Sequence, residues 1–99
     1  MAAVRVKICG ITRPEDALCA GDAGAWAIGL NFFPGSPRCV TPARAAAIAA
    51  AVPQLTRVGV FVNEPRERVA AIAAEAGLDA LQFHGDENPA YCRGWSLPV

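Results

Sequence analysis

Apolar and polar residues alternate in the first strand-like segment of the chain, from Val4 to Cys9. Strand side chains point alternately to opposite faces, so one predicted face is apolar and carries Val4, Val6 and Ile8. The other face carries two cations and a thiol: Arg5, Lys7 and Cys9. Cys9 would therefore stand at the carboxyl end of a strand, where α/β proteins commonly place functional groups.

Strand-like and helix-like segments then alternate along the chain. The predicted strands are Val4–Cys9, Trp26–Phe32, Arg57–Val62 and Ala80–Phe83. The predicted helices begin near Arg13, Thr41 and Asn63 and end near Gly21 or Gly24, Val52 and Gly77. Proline in the first helical turn, acidic residues after it and glycine at the end support these helix boundaries.

The last part of the chain predicts two further elements. The loop Gly85–Pro89 is expected to lead into a short helix through Cys92, with Asp86 as its cap. Leu97–Val99 is expected to begin a fifth strand.

Four β-α units in strict alternation predict a parallel sheet with right-handed crossovers. Such a sheet fits an open doubly wound fold or part of an eight-stranded β/α barrel. One face of each strand is bulky and apolar, which suits packing against helices: Trp26, Ile28, Leu30, Phe32; Val58, Val60, Val62; Leu81, Phe83. The opposite face mixes small and polar residues: Ala27, Gly29, Asn31; Gly59, Phe61, Asn63; Gln82, His84. This pattern favours a filled barrel with a polar mouth, because a sheet covered by helices on both sides is normally apolar on both faces.

The chain has 99 residues, whereas a complete β/α barrel needs roughly 200 or more. It also ends within a predicted strand. We therefore expect residues 1–99 to be the N-terminal half of a single, incomplete (β/α)8 TIM-barrel domain. The alternative is a half-barrel that acts as an assembly module and covers its open edges by pairing with itself or with a separate second half.

Composition narrows the classes of function. Nine cationic and nine anionic residues cancel, so the chain has no electrostatic signature of nucleic-acid or membrane binding. It shows neither a signal peptide nor an apolar run of membrane-spanning length, and a cytoplasmic protein is expected. The four cysteines are predicted to be free thiols without a metal site, because none forms a closely spaced pair. Cys19 and Cys92 are interpreted as small buried hydrophobic residues.

Chemically useful side chains collect where the predicted strands end. Cys9 can act as a base or nucleophile, His84 can titrate, and Arg38 carries a fixed positive charge. With Asn31 and Asn63 beside them, they predict proton-transfer or nucleophilic chemistry on a small anionic substrate.

Lys7, Arg38 and His84 each have a structural interpretation beside the functional one. Lys7 would either favour the thiolate form of Cys9 or form a structural ion pair with an acid on another strand. Arg38 is either a carboxylate or phosphate ligand or a solvated loop residue, and Pro37 restricts its directions. His84 is either a site residue or a hydrogen-bonded structural histidine.

Four segments together resemble one enzyme family, the phosphoribosylanthranilate isomerases of tryptophan biosynthesis, which are β/α barrels. Lys7–Thr12 is similar to the opening motif of that family, and Phe33–Arg38 to its Ser-Pro-Arg loop. Val58–Asn63 resembles its third strand, and Gln82–Glu87 its Gln-Leu-His-Gly segment, with Phe83 in place of leucine.

The resemblance implies an Amadori rearrangement of N-(5-phosphoribosyl)anthranilate to 1-(2-carboxyphenylamino)-1-deoxyribulose 5-phosphate, without a metal or cofactor. Cys9 matches the general base of the family, Arg38 matches the ligand of the anthranilate carboxylate, and His84 matches a residue near the substrate. Lys7, Asn63 and Gln82 are expected to lie just behind these groups.

Two parts of the family's site have no counterpart in this sequence. Its general acid is an aspartate in the second half of the barrel, and its phosphate loops follow the last strands. The resemblance therefore implies that the activity belongs to the complete barrel, and that the 99-residue chain alone is largely inactive. The complementing C-terminal half, or a second copy in a homodimer, is the expected macromolecular partner.

Overall fold

The computed structural model describes residues 5–99, which form an α/β unit of four strands and three helices. The elements are β1 (Lys7–Cys9), α1 (Pro14–Asp22), β2 (Ala27–Asn31), α2 (Pro42–Ala51), β3 (Thr56–Phe61), α3 (Arg66–Ala76) and β4 (Ala80–Phe83). The seven elements follow the predicted order, with boundaries shifted by up to three residues. Val4, the predicted start of the first strand, lies outside the described residues.

The four strands are parallel and lie in the order β1-β2-β3-β4, so each strand pairs with the next one along the chain. Cys9 pairs with Gly29, Gly29 with Val58, and Val58 with Ala80. Paired residues point to the same side of a sheet, so these four lie on one face. The arrangement confirms the α/β fold class and agrees with an arc of a β/α barrel.

The helix ends follow local rules. The Thr41 hydroxyl accepts a hydrogen bond of 3.1 Å from the backbone N–H of Arg44, which caps α2. Gly77 ends α3 in the left-handed conformation, with φ of 69°. The segment 63–65, predicted to open the third helix, lies directly before it: Pro65 is the N-cap of α3, which begins at Arg66.

The hydrophobic core lies between the sheet and the three helices. Its largest fully buried side chains come from two strands, from α2 and the residue that follows it, and from α3: Phe61, Ile28, Leu30, Ile48, Val52 and Val69. The rings of Phe61 and Phe32 stack with their centroids 5.2 Å apart. Phe83 of β4 lies beside Phe61 on the same face, with ring centroids 6.3 Å apart.

The predicted faces of the third strand are reversed in the structure. Val58 and Val60 pair with Gly29 and Asn31, so they lie on the face that carries Cys9. Phe61 points to the helices instead. The alternation of valine with glycine and phenylalanine is apolar on both sides, so sequence periodicity could not distinguish the two faces.

The predicted short helix through Cys92 is absent, and turns occupy its place. The side chain of Asn88, not that of Asp86, accepts the hydrogen bond from the backbone N–H of Tyr91, at 2.8 Å.

Residues 97–99 do not form a strand in the structure. The backbone N–H of Leu81 nevertheless donates to the carbonyl of Pro98 at 2.8 Å, so this segment lies against β4. The predicted fifth strand is therefore reduced to one backbone contact within the described chain.

Two residues expected in the interior lie at the surface. Trp26 is 45% exposed, and the Arg5 guanidinium lies over its ring at 5.0 Å. Cys19 is an exposed free thiol on α1, whereas Cys92 is half-buried.

None of the helices within residues 5–99 is long and apolar enough to cross a membrane.

Candidate functional site

Cys9 is the last residue of β1, and its free thiol is exposed at the carboxyl end of the sheet. The neighbouring position on β2 is Gly29. A Cβ atom added at Gly29 would lie 2.7 Å from Sγ of Cys9, closer than real contacts allow. The glycine therefore provides the space in which the thiol sits.

The backbone carbonyl of Gly29 also holds the turn that follows Cys9. The backbone N–H groups of Gly10 and Ile11 both donate to the carbonyl of Gly29, at 3.1 and 3.3 Å. Gly10 has φ of 80°, a conformation that L side chains rarely adopt. The β1 strand thus ends at Cys9 in a fixed turn, which determines the direction of the thiol.

Arg38 lies in the loop that follows β2, and the end of this loop is hydrogen-bonded back to Asn31, the last residue of β2. The Asn31 side chain accepts a 2.8 Å hydrogen bond from the N–H of Phe33, and its carbonyl accepts one of 2.9 Å from Val40. Ser36 Oγ accepts a 3.1 Å hydrogen bond from the N–H of Arg38. Asn31 therefore closes the loop, a role that its position in the strand had not suggested.

This loop places Arg38 beside the turn that follows Cys9. Its guanidinium donates to the carbonyl of Gly10 at 3.4 Å, and its aliphatic stem packs over the same glycine. The side chain remains exposed, so its other N–H groups are free to bind an anion. Cys9, Gly10 and Arg38 line one end of a groove of about 710 Å³ that continues between β1 and α1.

Lys7 lies on the Cys9 face of the sheet, two residues earlier on β1. Its ammonium group donates to the side-chain oxygen of Gln82 on β4, the opposite edge strand. The structure thus brings together two residues expected behind the substrate. Within residues 5–99, Lys7 has this amide partner rather than the acidic partner considered from the sequence.

His84 follows β4 directly and its side chain is exposed. Its backbone N–H donates to the carbonyl of Phe61 at 2.9 Å, which extends the sheet by one hydrogen bond. No hydrogen bond or ion pair in the described part of the chain connects His84 with Cys9 or Arg38. The structure therefore places Arg38 against the Cys9 turn and His84 at the end of a different strand.

Glu87 is a residue that the sequence analysis missed. Its carboxylate accepts hydrogen bonds from the backbone N–H groups of Asn63, at 2.6 Å, and Gly85, at 2.7 Å. Desolvation by burial raises the pKa of Glu87, but these hydrogen bonds and the charge of His84 outweigh it, and the pKa lies below its usual 4.5. The ionised Glu87 carboxylate therefore stabilises the folded protein above pH 4.5. This contribution to the free energy of unfolding is lost as the pH falls through the lower pKa that Glu87 has in the folded state.

The model of the family described as N-(5'-phosphoribosyl)anthranilate (PRA) isomerase matches residues 6–99. The chain belongs to this family.

Individual isomerases agree with this assignment. The N-(5'-phosphoribosyl)anthranilate isomerase of Azotobacter vinelandii is 61% identical over 99 residues, covering 99% of this chain and 48% of the relative. A crystal structure of the isomerase with reduced 1-(o-carboxyphenylamino)-1-deoxyribulose 5-phosphate has a TM-score of 0.89 and 47% identity, covering 92% of this chain and 47% of that one. Monomers of the dimeric isomerase of Thermotoga maritima give a TM-score of 0.87 and 46% identity, covering 92% and 47%. The chain thus spans about half the length of these relatives.

Proposed function

We propose that the complete protein isomerises N-(5-phosphoribosyl)anthranilate to 1-(2-carboxyphenylamino)-1-deoxyribulose 5-phosphate in tryptophan biosynthesis. The observation that carries the proposal is the placement of Arg38 against the turn that follows Cys9. A cation that binds a carboxylate next to a thiol able to act as a base suits a substrate that is both an acid and a sugar. Family membership supports the same reaction.

In the proposed reaction, Cys9 acts as the general base. The electron pair of the anthranilate nitrogen forms a C1=N bond as the C1–O4 bond of the ribose ring breaks. A general acid, which the family resemblance places in the second half of the barrel, gives a proton to the ring oxygen, so a protonated Schiff base is left. The Cys9 thiolate then removes the proton from C2, and the C2–H electron pair forms a C1=C2 double bond while the C=N pair moves onto nitrogen. Proton transfer from the C2 hydroxyl to C1 gives the ketone product, so the redox change is internal and needs no cofactor.

Arg38 and His84 would orient the substrate for this proton transfer. The free N–H groups of Arg38 suit the planar anthranilate carboxylate, which they can bind in a bidentate manner. Holding the aromatic acid there would bring the sugar carbon towards the thiol of Cys9. His84, at the end of β4, would contact the substrate from a second strand.

We infer that residues 1–99 form the N-terminal half of one barrel domain in a cytoplasmic enzyme. Exposed apolar side chains at this edge of the sheet support the inference: Val6, just before β1, is 44% exposed, and Ile8 on β1 is 39% exposed. Covering an apolar sheet face with further chain is strongly favourable. The chain covers 48% of the Azotobacter vinelandii relative, so the rest of such a protein could supply the chain that covers this face.

Turnover tests both inferences. The complete protein should convert N-(5-phosphoribosyl)anthranilate to the deoxyribulose phosphate, followed by NMR of the sugar carbons, whereas residues 1–99 alone should convert little. Absence of conversion by the complete protein would contradict the proposed reaction. Equal activity of the 99-residue chain would contradict the half-domain inference.

The dimeric relative from Thermotoga maritima supports a further expectation, that the complete protein pairs with a copy of itself. Sedimentation equilibrium at micromolar concentration should give twice the monomer mass. A monomer mass across the concentration range would contradict this expectation.

A further inference from the structure

The loops after β3 and β4 are joined by a reciprocal set of hydrogen bonds between Asn63 and the segment Gly85–Glu87. The Glu87 carboxylate accepts from the backbone N–H groups of Asn63 and Gly85, one on each oxygen. In return, the side-chain oxygen of Asn63 accepts from the backbone N–H of Asp86 at 2.8 Å. We call this set the Asn63–Glu87 clasp.

The backbone around the clasp is shaped to fit it. Asn63 adopts φ of 51°, the one positive φ among non-glycine residues within 5–99. This conformation is costly for most L residues but is tolerated by asparagine. A Cβ atom at Gly85 would lie 2.7 Å from the side-chain oxygen of Asn63, so a larger residue there would displace the clasp.

The clasp immediately follows His84 along the chain. On one side of His84, its own N–H is bound to the carbonyl of Phe61 in β3. On the other side, the N–H of Gly85 is bound to Glu87. The backbone of His84 is therefore held from both directions, although its ring is exposed.

We propose that Glu87 is a positioning residue that holds His84 at the mouth of the site through the Asn63–Glu87 clasp. The inference rests on the proposed function only for the contact between His84 and substrate. Glu87 itself touches no reacting atom, since both of its oxygens bind backbone N–H groups. The lowered pKa of Glu87 supports the same arrangement, because the acceptor must be ionised to serve two donors.

The test compares Glu87→Gln with Asp86→Asn in the complete protein. Both variants remove one negative charge from the same loop, but the Asp86 carboxylate makes no hydrogen bond or ion pair within residues 5–99. Glutamine keeps one acceptor oxygen, but its NH2 group cannot accept a hydrogen bond. Amide hydrogen exchange of whichever of Asn63 and Gly85 loses its acceptor should therefore accelerate about tenfold or more in Glu87→Gln, the size expected for losing a hydrogen bond to a charged group. The His84 ring resonance, identified by its loss in His84→Asn, should shift and broaden. Asp86→Asn should change neither signal.

Kinetics then separate positioning from a purely structural role. Glu87→Gln should lower kcat/KM about tenfold in the normal background and have little further effect in His84→Asn. Equal losses in both backgrounds would overturn the proposal, as would unchanged exchange and ring signals. If the complete protein lacked isomerase activity, the proposed function would fail, while the exchange and ring signals would still decide whether Glu87 positions His84.

Discussion

Replacing Cys9 with alanine should lower kcat/KM of the complete protein for N-(5-phosphoribosyl)anthranilate by about 10²–10⁴-fold, the usual contribution of a general base. Its thiol is exposed at the end of β1, so alanine removes the reactive group without opening a cavity in the core. The temperature of unfolding should therefore stay close to that of the unmodified protein. Cys9→Ser should also be inactive, because a serine hydroxyl is a much weaker acid than a thiol and supplies no base.

Steady-state kinetics and thermal unfolding of the same samples provide the measurement. Cys19→Ala is the matched control, since Cys19 is also an exposed free thiol but lies on α1. It should retain normal turnover. Near-normal turnover in Cys9→Ala would contradict the proposal that Cys9 is the general base.

Replacing Gly29 with alanine should lower kcat about 10- to 100-fold, although Cys9 itself is unchanged in this variant. The added Cβ would lie 2.7 Å from Sγ of Cys9, so the thiol must move by roughly 1 Å to reach a normal contact. A displacement of that size at a reacting group can reduce the rate about a hundredfold. The effect should appear in kcat more than in KM, because the Arg38 contacts are on another loop.

Gly21→Ala is the matched control for this substitution. Gly21 lies in α1, where an added Cβ would come no closer than 3.4 Å to the side-chain amide of Gln54. Gly21 is the penultimate residue of α1, where alanine is a better helix former than glycine, so this variant should be active and no less stable. Unchanged kcat in Gly29→Ala would show that the observed position of the thiol is not the one used in the reaction.

The order and type of the elements could be predicted because each depends on local chemistry. Thr41 caps α2 through its own hydroxyl, and Gly77 ends α3 because glycine readily adopts positive φ. The prediction failed where local signals were ambiguous. In β3 both faces are apolar, and pairing with Gly29 and Asn31 decided which face met the helices.

The candidate site could be predicted in part. The positions of Cys9 and His84 follow from the ends of their strands, since all parallel strands end at the same edge of the sheet. Arg38 was expected at the same edge from its loop after the second strand, but its contact with Gly10 was not, because that contact depends on a loop closed by Asn31. The pairing of Lys7 with Gln82 connects strands 75 residues apart, and nothing local specifies it.

The sequence alone determined the β-α order, the start of α2 at Thr41, the end of α3 at Gly77 and the residue types available for chemistry, because these depend on hydrophobic periodicity and on the properties of single side chains. Tertiary structure decided which residues meet: the space that Gly29 leaves for Cys9, the face of the sheet that Phe61 occupies and the hold of Glu87 on Asn63 and Gly85. Strand register and loop closure join residues that are distant along the chain. Such contacts arise from the packing of the whole molecule rather than from any one segment.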